Sequence, residues 1–258
     1  MFWEEAGSGR DAVLFVHGFP LTGALWDDVL AEAASGWRYL APDLPGFGRS
    51  PCLGTPLTMD LLADLLATFL DEQGLERAVV CGLSMGGYIA FAMWRRHPER
   101  VRALVLTNTR AGPDTPDTRR GRYERAARVR AEGTHAVTEP MVPQLLSEAT
   151  RRERPEIVAR LRGMMNRVTV EGLAGALQGV AERPDSTPTL ATITVPTLVL
   201  AGEADTISPP EEMRGLAGAI PGSVLRVLPG AGHLTPMEAP DSFNAALRAF
   251  LRERVTGG

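Results

Sequence analysis

A serine in a tight, glycine-flanked segment is the residue of this chain best suited to nucleophilic chemistry. Ser84 lies in the pentapeptide at 82–86, which follows an apolar run at 78–81 and precedes an apolar stretch with helical spacing. At a sharp turn from a strand into a helix, only small residues fit two positions to either side of the serine. The first amides of the helix can stabilise negative charge. The pattern predicts a serine that attacks a carbonyl carbon.

A serine hydroxyl needs a base to accept its proton, and His233 is the best placed of the four histidines. It lies in a glycine-rich loop after the last predicted strand, at the edge of the sheet where Ser84 is expected. His17 lies too close to the first strand, His97 ends the helix after Ser84, and His135 belongs to a segment without predicted strands. We therefore predict that His233 is the base.

The imidazole needs a carboxylate that fixes its tautomer and stabilises its charged form. Asp205, in the loop after the predicted strand at 195–200, is the best candidate, and Glu203 is its nearest competitor. Asn108 ends the preceding strand, but an amide cannot serve as the acid. The predicted set is Ser84, Asp205 and His233.

Acyl transfer also needs donors for the oxyanion of the tetrahedral intermediate. The backbone N–H groups of Phe19 and Met85 are the predicted donors, because Phe19 follows a glycine at a strand end and Met85 opens the helix after Ser84. Apolar side chains in this region and in the later helical segment are candidates for the walls of the substrate pocket. Those candidates are Leu21, Trp26, Met141, Leu145, Met164 and Met165. Methionine suits an adaptable pocket, although packing inside the helical segment explains each of these residues equally well.

The elements that would position these residues alternate between strands and helices. The predicted strands cover residues 11–17, 37–41, 78–81, 101–106, 195–200 and 224–228. A helix begins after Thr58, with apolar residues at helical spacing. Strands that alternate with helices indicate an α/β fold with a mostly parallel sheet flanked by helices.

The segment 112–189 interrupts this alternation. It is rich in arginine, glutamate and proline, and it predicts helices near 117–132, 136–147, 155–167 and 170–181 without a strand. We expect residues 1–111 and 190–258 to form the core and residues 112–189 to form a helical cap inserted between late strands. Ligands in open parallel sheets bind outside the carboxyl ends of the strands, where this insertion begins and ends. The alternative is a helix cluster elsewhere on the surface.

The composition excludes several classes of function. All 27 basic residues among the 258 are arginine, so Schiff-base chemistry by lysine is excluded. A net charge of −4 argues against nucleic acid and against an anionic membrane as partners. Two cysteines provide no disulfide framework, and no cluster of histidine or cysteine suggests a metal. Without a visible signal peptide or membrane span, we expect a cytoplasmic protein, and its oligomeric state is not indicated.

Three segments together resemble the motifs of α/β-hydrolase fold enzymes. They are residues 17–20, which resemble the strand end that supplies an oxyanion donor, residues 43–50 in the loop after the next strand, and the turn at 82–87. The order Ser84, Asp205, His233 is also the order of this family. The chain is similar to its capped, serine-type members, such as carboxylesterases, 3-oxoadipate enol-lactonases and cofactor-free haloperoxidases.

The resemblance implies hydrolysis of a small, largely apolar ester or lactone through an acyl-enzyme, without a cofactor. Haloalkane dehalogenases and epoxide hydrolases of this fold carry aspartate where this chain has Ser84, which favours acyl chemistry here. Cofactor-free perhydrolysis would use the same three residues, and hydrolysis of a carbon–carbon bond is a further enzymatic alternative. A ligand-binding receptor on the same fold is the alternative outside catalysis.

Overall fold

The computed structural model describes residues 1–54 and 56–255, so the last three residues of the predicted core lie outside the described residues. In this part of the chain, strands form one seven-stranded sheet. The strands are β1 (Trp3–Gly7), β2 (Asp11–Val16), β3 (Trp37–Pro42), β4 (Ala78–Leu83), β5 (Val101–Thr107), β6 (Thr197–Gly202) and β7 (Val224–Leu228).

The sheet has the order β1-β3-β2-β4-β5-β6-β7 and is parallel except at one edge. There β1 pairs antiparallel with β3, with Trp3 opposite Pro42. The predicted α/β class is therefore confirmed, although the sequence pattern did not indicate β1. This strand is mostly exposed and pairs on one side only, so it lacks the continuous apolar run of a buried parallel strand.

Helices cover both faces of the sheet. They are α1 (Asp27–Leu30), α2 (Met59–Glu72), α3 (Met85–Arg96), α4 (Pro116–Glu132), α5 (His135–Thr138), α6 (Val142–Leu145), α7 (Glu148–Glu153), α8 (Pro155–Met165), α9 (Val170–Ala181), α10 (Thr187–Leu190), α11 (Pro210–Ala219), α12 (Thr235–Glu238) and α13 (Pro240–Phe250). Short 3₁₀ helices lie at Gly23–Trp26, Pro98–Arg100 and Glu139–Met141, and a π-helix lies at Leu251–Val255.

Two buried apolar clusters lie on opposite faces of the sheet. Along β2, Leu14 and Val16 belong to one cluster and Val13 and Phe15 to the other, because successive side chains of a strand point to opposite faces. Burial on both sides explains why this strand reads as an uninterrupted apolar run. Because strands β2 to β7 are parallel, their carboxyl ends lie at the same edge of the sheet.

The helices α4–α10 occupy the chain between β5 and β6, where the sequence predicts an insertion without strands. The helix predicted at 136–147 is wrong in detail: it is broken into α5, a 3₁₀ turn and α6. Pro140 and Pro143 lie at the starts of these last two pieces, where a missing N–H is tolerated. Ser147 then caps α7, a helix that the sequence pattern did not indicate.

The insertion is packed closely onto the core. The backbone N–H and the hydroxyl of Thr169 both donate to the carbonyl oxygen of Gly46, each at 3.0 Å. The backbone of Gly46 touches Gly172 so closely that a Cβ on either glycine would overlap the other residue. Among the described residues, no helix is both long enough and apolar enough to cross a membrane.

Candidate active site

Ser84 lies at the sharp turn between β4 and α3. Its φ of 55° is in the left-handed region, which a serine adopts only when its surroundings impose it. The surroundings do so through two glycines: a Cβ on Gly82 would overlap the Gly86 carbonyl, and a Cβ on Gly86 would overlap the Val16 carbonyl. The Ser84 amide also donates to the Thr107 carbonyl oxygen at 3.0 Å. The turn therefore has the close contacts that the pentapeptide predicts, and only glycine fits two positions to either side of Ser84.

A cavity of about 90 Å³ opens beside Ser84, and His233 lines the same cavity. The core contributes Phe19, Met85, Tyr88 and Ile207 to its walls. The insertion contributes Arg122, Met141, Leu145 and Val180. The helical insertion therefore closes one side of the space above the serine.

His233 and Asp205 form a buried hydrogen-bonded pair. The His233 Nδ1 lies 2.8 Å from the Asp205 Oδ2, and both side chains are almost fully buried. Because a carboxylate only accepts hydrogen bonds, Nδ1 carries the hydrogen, and in the neutral imidazole Nε2 is then the acceptor. The other carboxylate oxygen, Oδ1, accepts from the Ile207 amide at 2.8 Å and from the Ser208 amide at 3.2 Å. These bonds fix the orientation of the carboxylate.

Asn108 is the further polar partner of this carboxylate. Its Nδ2 donates to the Asp205 Oδ2 at 2.8 Å, and its Oδ1 accepts from the Thr235 hydroxyl at 2.9 Å. Burial by itself raises the pKa of Asp205, but the hydrogen bonds from His233 and Asn108 outweigh it and hold that pKa below its usual value. The sequence rejected Asn108 as an acid without indicating this role, although its position at a strand end was the available signal.

The other candidates for the acid and the base lie in different settings. Glu203 accepts from the Gly230 amide at 2.9 Å instead of meeting the imidazole. His17 is fully buried, and burial lowers its pKa. Its Nε2 accepts from the Leu44 amide at 3.0 Å, so this neutral ring links two loops of the core. His97 follows the last residue of α3, at the opposite end of that helix from the cavity.

Phe19 and Met85 are the residues whose backbone N–H groups the sequence predicts as oxyanion donors. Both line the cavity, and Gly18, which precedes Phe19, packs so closely that a Cβ there would lie 3.2 Å from the Ser84 Cβ. The Met85 amide belongs to the first turn of α3, where amides have no acceptor within the helix. The two residues predicted as oxyanion donors therefore lie at the cavity that contains Ser84.

The pocket wall differs from the predicted set. Met141 and Leu145 line the cavity, as does Phe19. Tyr88, Val180 and Ile207 line it as well, and the sequence reasoning missed them. Ile207 follows Asp205 by two residues and could have been found from that spacing.

Leu21, Trp26, Met164 and Met165 are not among the residues that line this cavity, which corrects the prediction. All four are buried in the apolar cluster on one face of the sheet. The ring of Trp26 packs against Phe15, with 5.0 Å between the centroids. Met164 and Met165 continue the apolar face of α8. Their burial in the core explains these side chains.

The fold, the turn at Ser84 and the buried histidine–aspartate pair define a class of protein. A family model described as the alpha/beta hydrolase fold matches residues 11–240, and the chain belongs to this family. It is an enzyme family, and the protein is a hydrolase of this fold.

Individual relatives agree with that class. The chain is 27% identical over 243 residues to 3-oxoadipate enol-lactonase 2 of Acinetobacter baylyi, covering 94% of this chain and 89% of the relative. A thermophilic esterase from Thermogutta terrifontis has a similar structure, with a TM-score of 0.95 and 44% identity, over 98% of this chain and 93% of the other. The enol-lactonase from Burkholderia xenovorans LB400 has a TM-score of 0.90 and 27% identity, over 98% and 96%.

Proposed function

We propose that the protein is a serine hydrolase that cleaves a small, largely apolar carboxylic ester or lactone through an acyl-enzyme. One observation supports this most strongly. Ser84, in a strained left-handed conformation, lines the same cavity as His233, whose Nδ1 is bonded to the buried Asp205. A nucleophile, a base and the carboxylate that orients the base are thus present together.

In the first half of the reaction, the Ser84 hydroxyl oxygen attacks the carbonyl carbon and its proton passes to the His233 Nε2. The carbonyl π electrons move onto the oxygen, where the backbone N–H groups of Phe19 and Met85 stabilise the negative charge. The bond to the alkoxy oxygen then breaks. The leaving oxygen takes the proton from His233, and the acyl group remains bound to Ser84.

In the second half, water attacks the acyl carbon and gives one proton to His233. The intermediate breaks down by loss of the Ser84 oxygen, which recovers that proton, and the carboxylic acid is released. Asp205 keeps the imidazole oriented and stabilises its positive charge throughout. No further group is needed to balance these steps.

The cavity supports the proposed substrate class. Its volume of about 90 Å³ next to the serine suits a small acyl group, and its walls are mainly apolar. We propose that residues 112–189 act as a cap over a core of residues 1–111 and 190–258, because the insertion supplies Arg122, Met141, Leu145 and Val180 to the wall. The enol-lactonases and the esterase among the relatives are consistent with ester or lactone cleavage.

The test is Ser84→Ala, measured with 4-nitrophenyl acetate beside the wild type. We expect kcat to fall by about 10⁴-fold or more, because no other group can form the acyl-enzyme. Ser8→Ala, at an exposed serine, is the matched control and should keep the wild-type rate. A fluorophosphonate probe should label the wild type and not Ser84→Ala. Hydrolysis by Ser84→Ala at the wild-type rate would refute the proposal.

A further inference from the structure

A second, larger cavity adjoins the one that holds Ser84. It has a volume of about 310 Å³. Both cavities are lined by Phe19, Arg122, Met141 and Ile207, so they meet at these four residues. The larger cavity, which we call the outer cavity, is therefore the neighbouring space for the part of a substrate that extends beyond a carbonyl at Ser84.

The outer cavity is lined by positive charge from one helix. Arg122, Arg125 and Arg128 of α4 all line it, and residues three positions apart lie on the same face of a helix. The described residues that line this cavity include no carboxylate. Its remaining walls are apolar, apart from the neutral amide of Gln144. A ligand in this space therefore meets guanidinium groups, and no carboxylate lies among the residues that line the cavity.

Arg122 is only partly neutralised by its nearest acid. Its Nε donates to the Asp114 Oδ2 and its Nη2 donates to the Asp114 Oδ1 at 3.2 Å, but the same carboxylate also binds Arg183, at 2.7 Å. Asp114 and Arg183 are both buried. Two guanidinium groups thus share one carboxylate, and one positive charge remains beside the wall that the two cavities share.

Arg125 is the least compensated of the three arginines in the outer cavity. Within the part of the chain that the structure describes, it has no ion pair, whereas Arg128 pairs with Glu132 at 3.0 Å. Burial lowers the pKa of the Arg125 guanidinium, and the charge of Arg122 lowers it further. Both causes destabilise the charge of Arg125, although Asp114 and Glu124 oppose them, so an anion bound between Arg122 and Arg125 would stabilise that charge.

We propose that the outer cavity binds an anionic group of the substrate, such as a carboxylate, and that Arg125 is a residue that determines this specificity. The inference rests on the proposed function and narrows its substrate class. The ester or lactone has a short apolar part in the small cavity at Ser84 and a negative charge at Arg122 and Arg125. Guanidinium suits this role because its planar fork donates two parallel hydrogen bonds to a carboxylate.

The test compares two esters that differ only in the terminal group. The mono-4-nitrophenyl ester of glutaric acid carries a carboxylate where 4-nitrophenyl pentanoate has a methyl group, and the adipate and hexanoate pair extends each chain by one methylene. We expect Arg125→Gln to lower the ratio of kcat/KM for the charged ester to that for the neutral ester. The loss should be about tenfold to a hundredfold, the effect of one hydrogen bond to a charged group.

Arg120→Gln is the matched control, because Arg120 lies on the same helix, is exposed, and does not line the outer cavity. It should leave the ratio unchanged. Arg122 is unsuitable as the first variant, because it also lines the cavity at Ser84 and its removal would take one of two guanidinium partners from the buried Asp114. Added salt should reduce the wild-type preference for the charged ester, because Arg125 is only partly buried and salt screens its charge.

An unchanged ratio in Arg125→Gln for both chain lengths, or an equal fall in Arg120→Gln, would overturn the inference while leaving ester hydrolysis intact. If the wild type cleaves neither ester, the inference is decided by binding, and the proposed function fails only when 4-nitrophenyl acetate is not cleaved either. Calorimetry with glutarate should show affinity for the wild type that weakens at least tenfold in Arg125→Gln. No binding to the wild type, or equal affinity in both proteins, would overturn it.

Discussion

Replacing Asn108 with aspartate tests the hydrogen-bond network around Asp205. Asn108→Asp keeps the size of the side chain and suits the positive φ of 45° at this position, since aspartate also tolerates that conformation. It replaces the amide that donates to the Asp205 Oδ2 at 2.8 Å with a second carboxyl group. Two buried carboxylates would then meet at hydrogen-bond distance.

Coulomb's law sets the size of the effect. Two charges 2.8 Å apart repel by about 6 kcal/mol at an effective dielectric constant of about 20. Protonating an ordinary carboxylate at pH 7 requires only about 4 kcal/mol, so the folded variant should hold one proton between the two carboxyl groups. The unfolded chain has both groups ionised above about pH 5, and folding must then take up a proton.

The expected result is a loss of stability that grows with pH. Relative to the wild type, the free energy of unfolding of Asn108→Asp should be lower by about 1.5 kcal/mol at pH 5 and by about 4 kcal/mol at pH 7. The sign follows because the folded pKa of the introduced carboxyl is raised, so stability is lost as pH rises. Urea unfolding at pH 5, 6, 7 and 8 measures the difference.

The double variant Asn108→Asp/Asp205→Asn is the internal control. It restores one carboxylate and one amide at the same two positions, so the dependence on pH should disappear. A constant difference between Asn108→Asp and the wild type from pH 5 to 8 would refute the reasoning. The same slope in the double variant would refute it as well, because repulsion between the two carboxylates could then not be the cause.

Two further predictions concern the glycine turn and the cysteines. Gly82→Ala should lower the free energy of unfolding by about 1–3 kcal/mol in urea denaturation, because its Cβ would meet only backbone atoms of α3. Gly215→Ala, in α11 with open space around it, should instead raise it by about 0.5–1 kcal/mol, and equal effects of the two would contradict the steric argument. Burial raises the pKa of the Cys81 thiol, so Ellman's reagent at pH 8 should titrate only the half-buried Cys52 in the native protein and both thiols in urea. Rapid reaction of both thiols in the native state would contradict that burial.

Much of the fold could be predicted because buried strands and helices have apolar residues at characteristic spacings in the sequence. The strand predicted at 101–106 is observed as Val101–Thr107, and the helix predicted at 170–181 is observed as Val170–Ala181. The failures have local physical reasons. The edge strand β1 is too exposed to form an apolar run, and the prolines at 140 and 143 divide a helix that periodicity alone would continue.

The candidate site could be predicted in its chemistry and less well in its walls. Ser84 and His233 could be selected because few residues offer that chemistry at strand ends, and the structure places them at one cavity. Trp26 and Met164 could not be separated from true wall residues, because an apolar side chain in the core has the same type as one in a pocket. Arg122 could not be selected from the sequence, because the insertion contains many arginines and nothing local distinguishes this one.

The sequence by itself determined the fold class, the sharp turn at residues 82–86 and the residue types of the candidate site, because these depend on local sterics and on the order of strands and helices. Only the tertiary structure decided which distant side chains meet. It placed Asn108 within hydrogen-bond distance of Asp205, whereas Glu203 accepts a hydrogen bond from the Gly230 amide. It also turned one face of α4, with Arg125, towards a cavity that adjoins Ser84. Such encounters depend on how the insertion packs on the core, through contacts between residues far apart in the chain, and no local pattern encodes them.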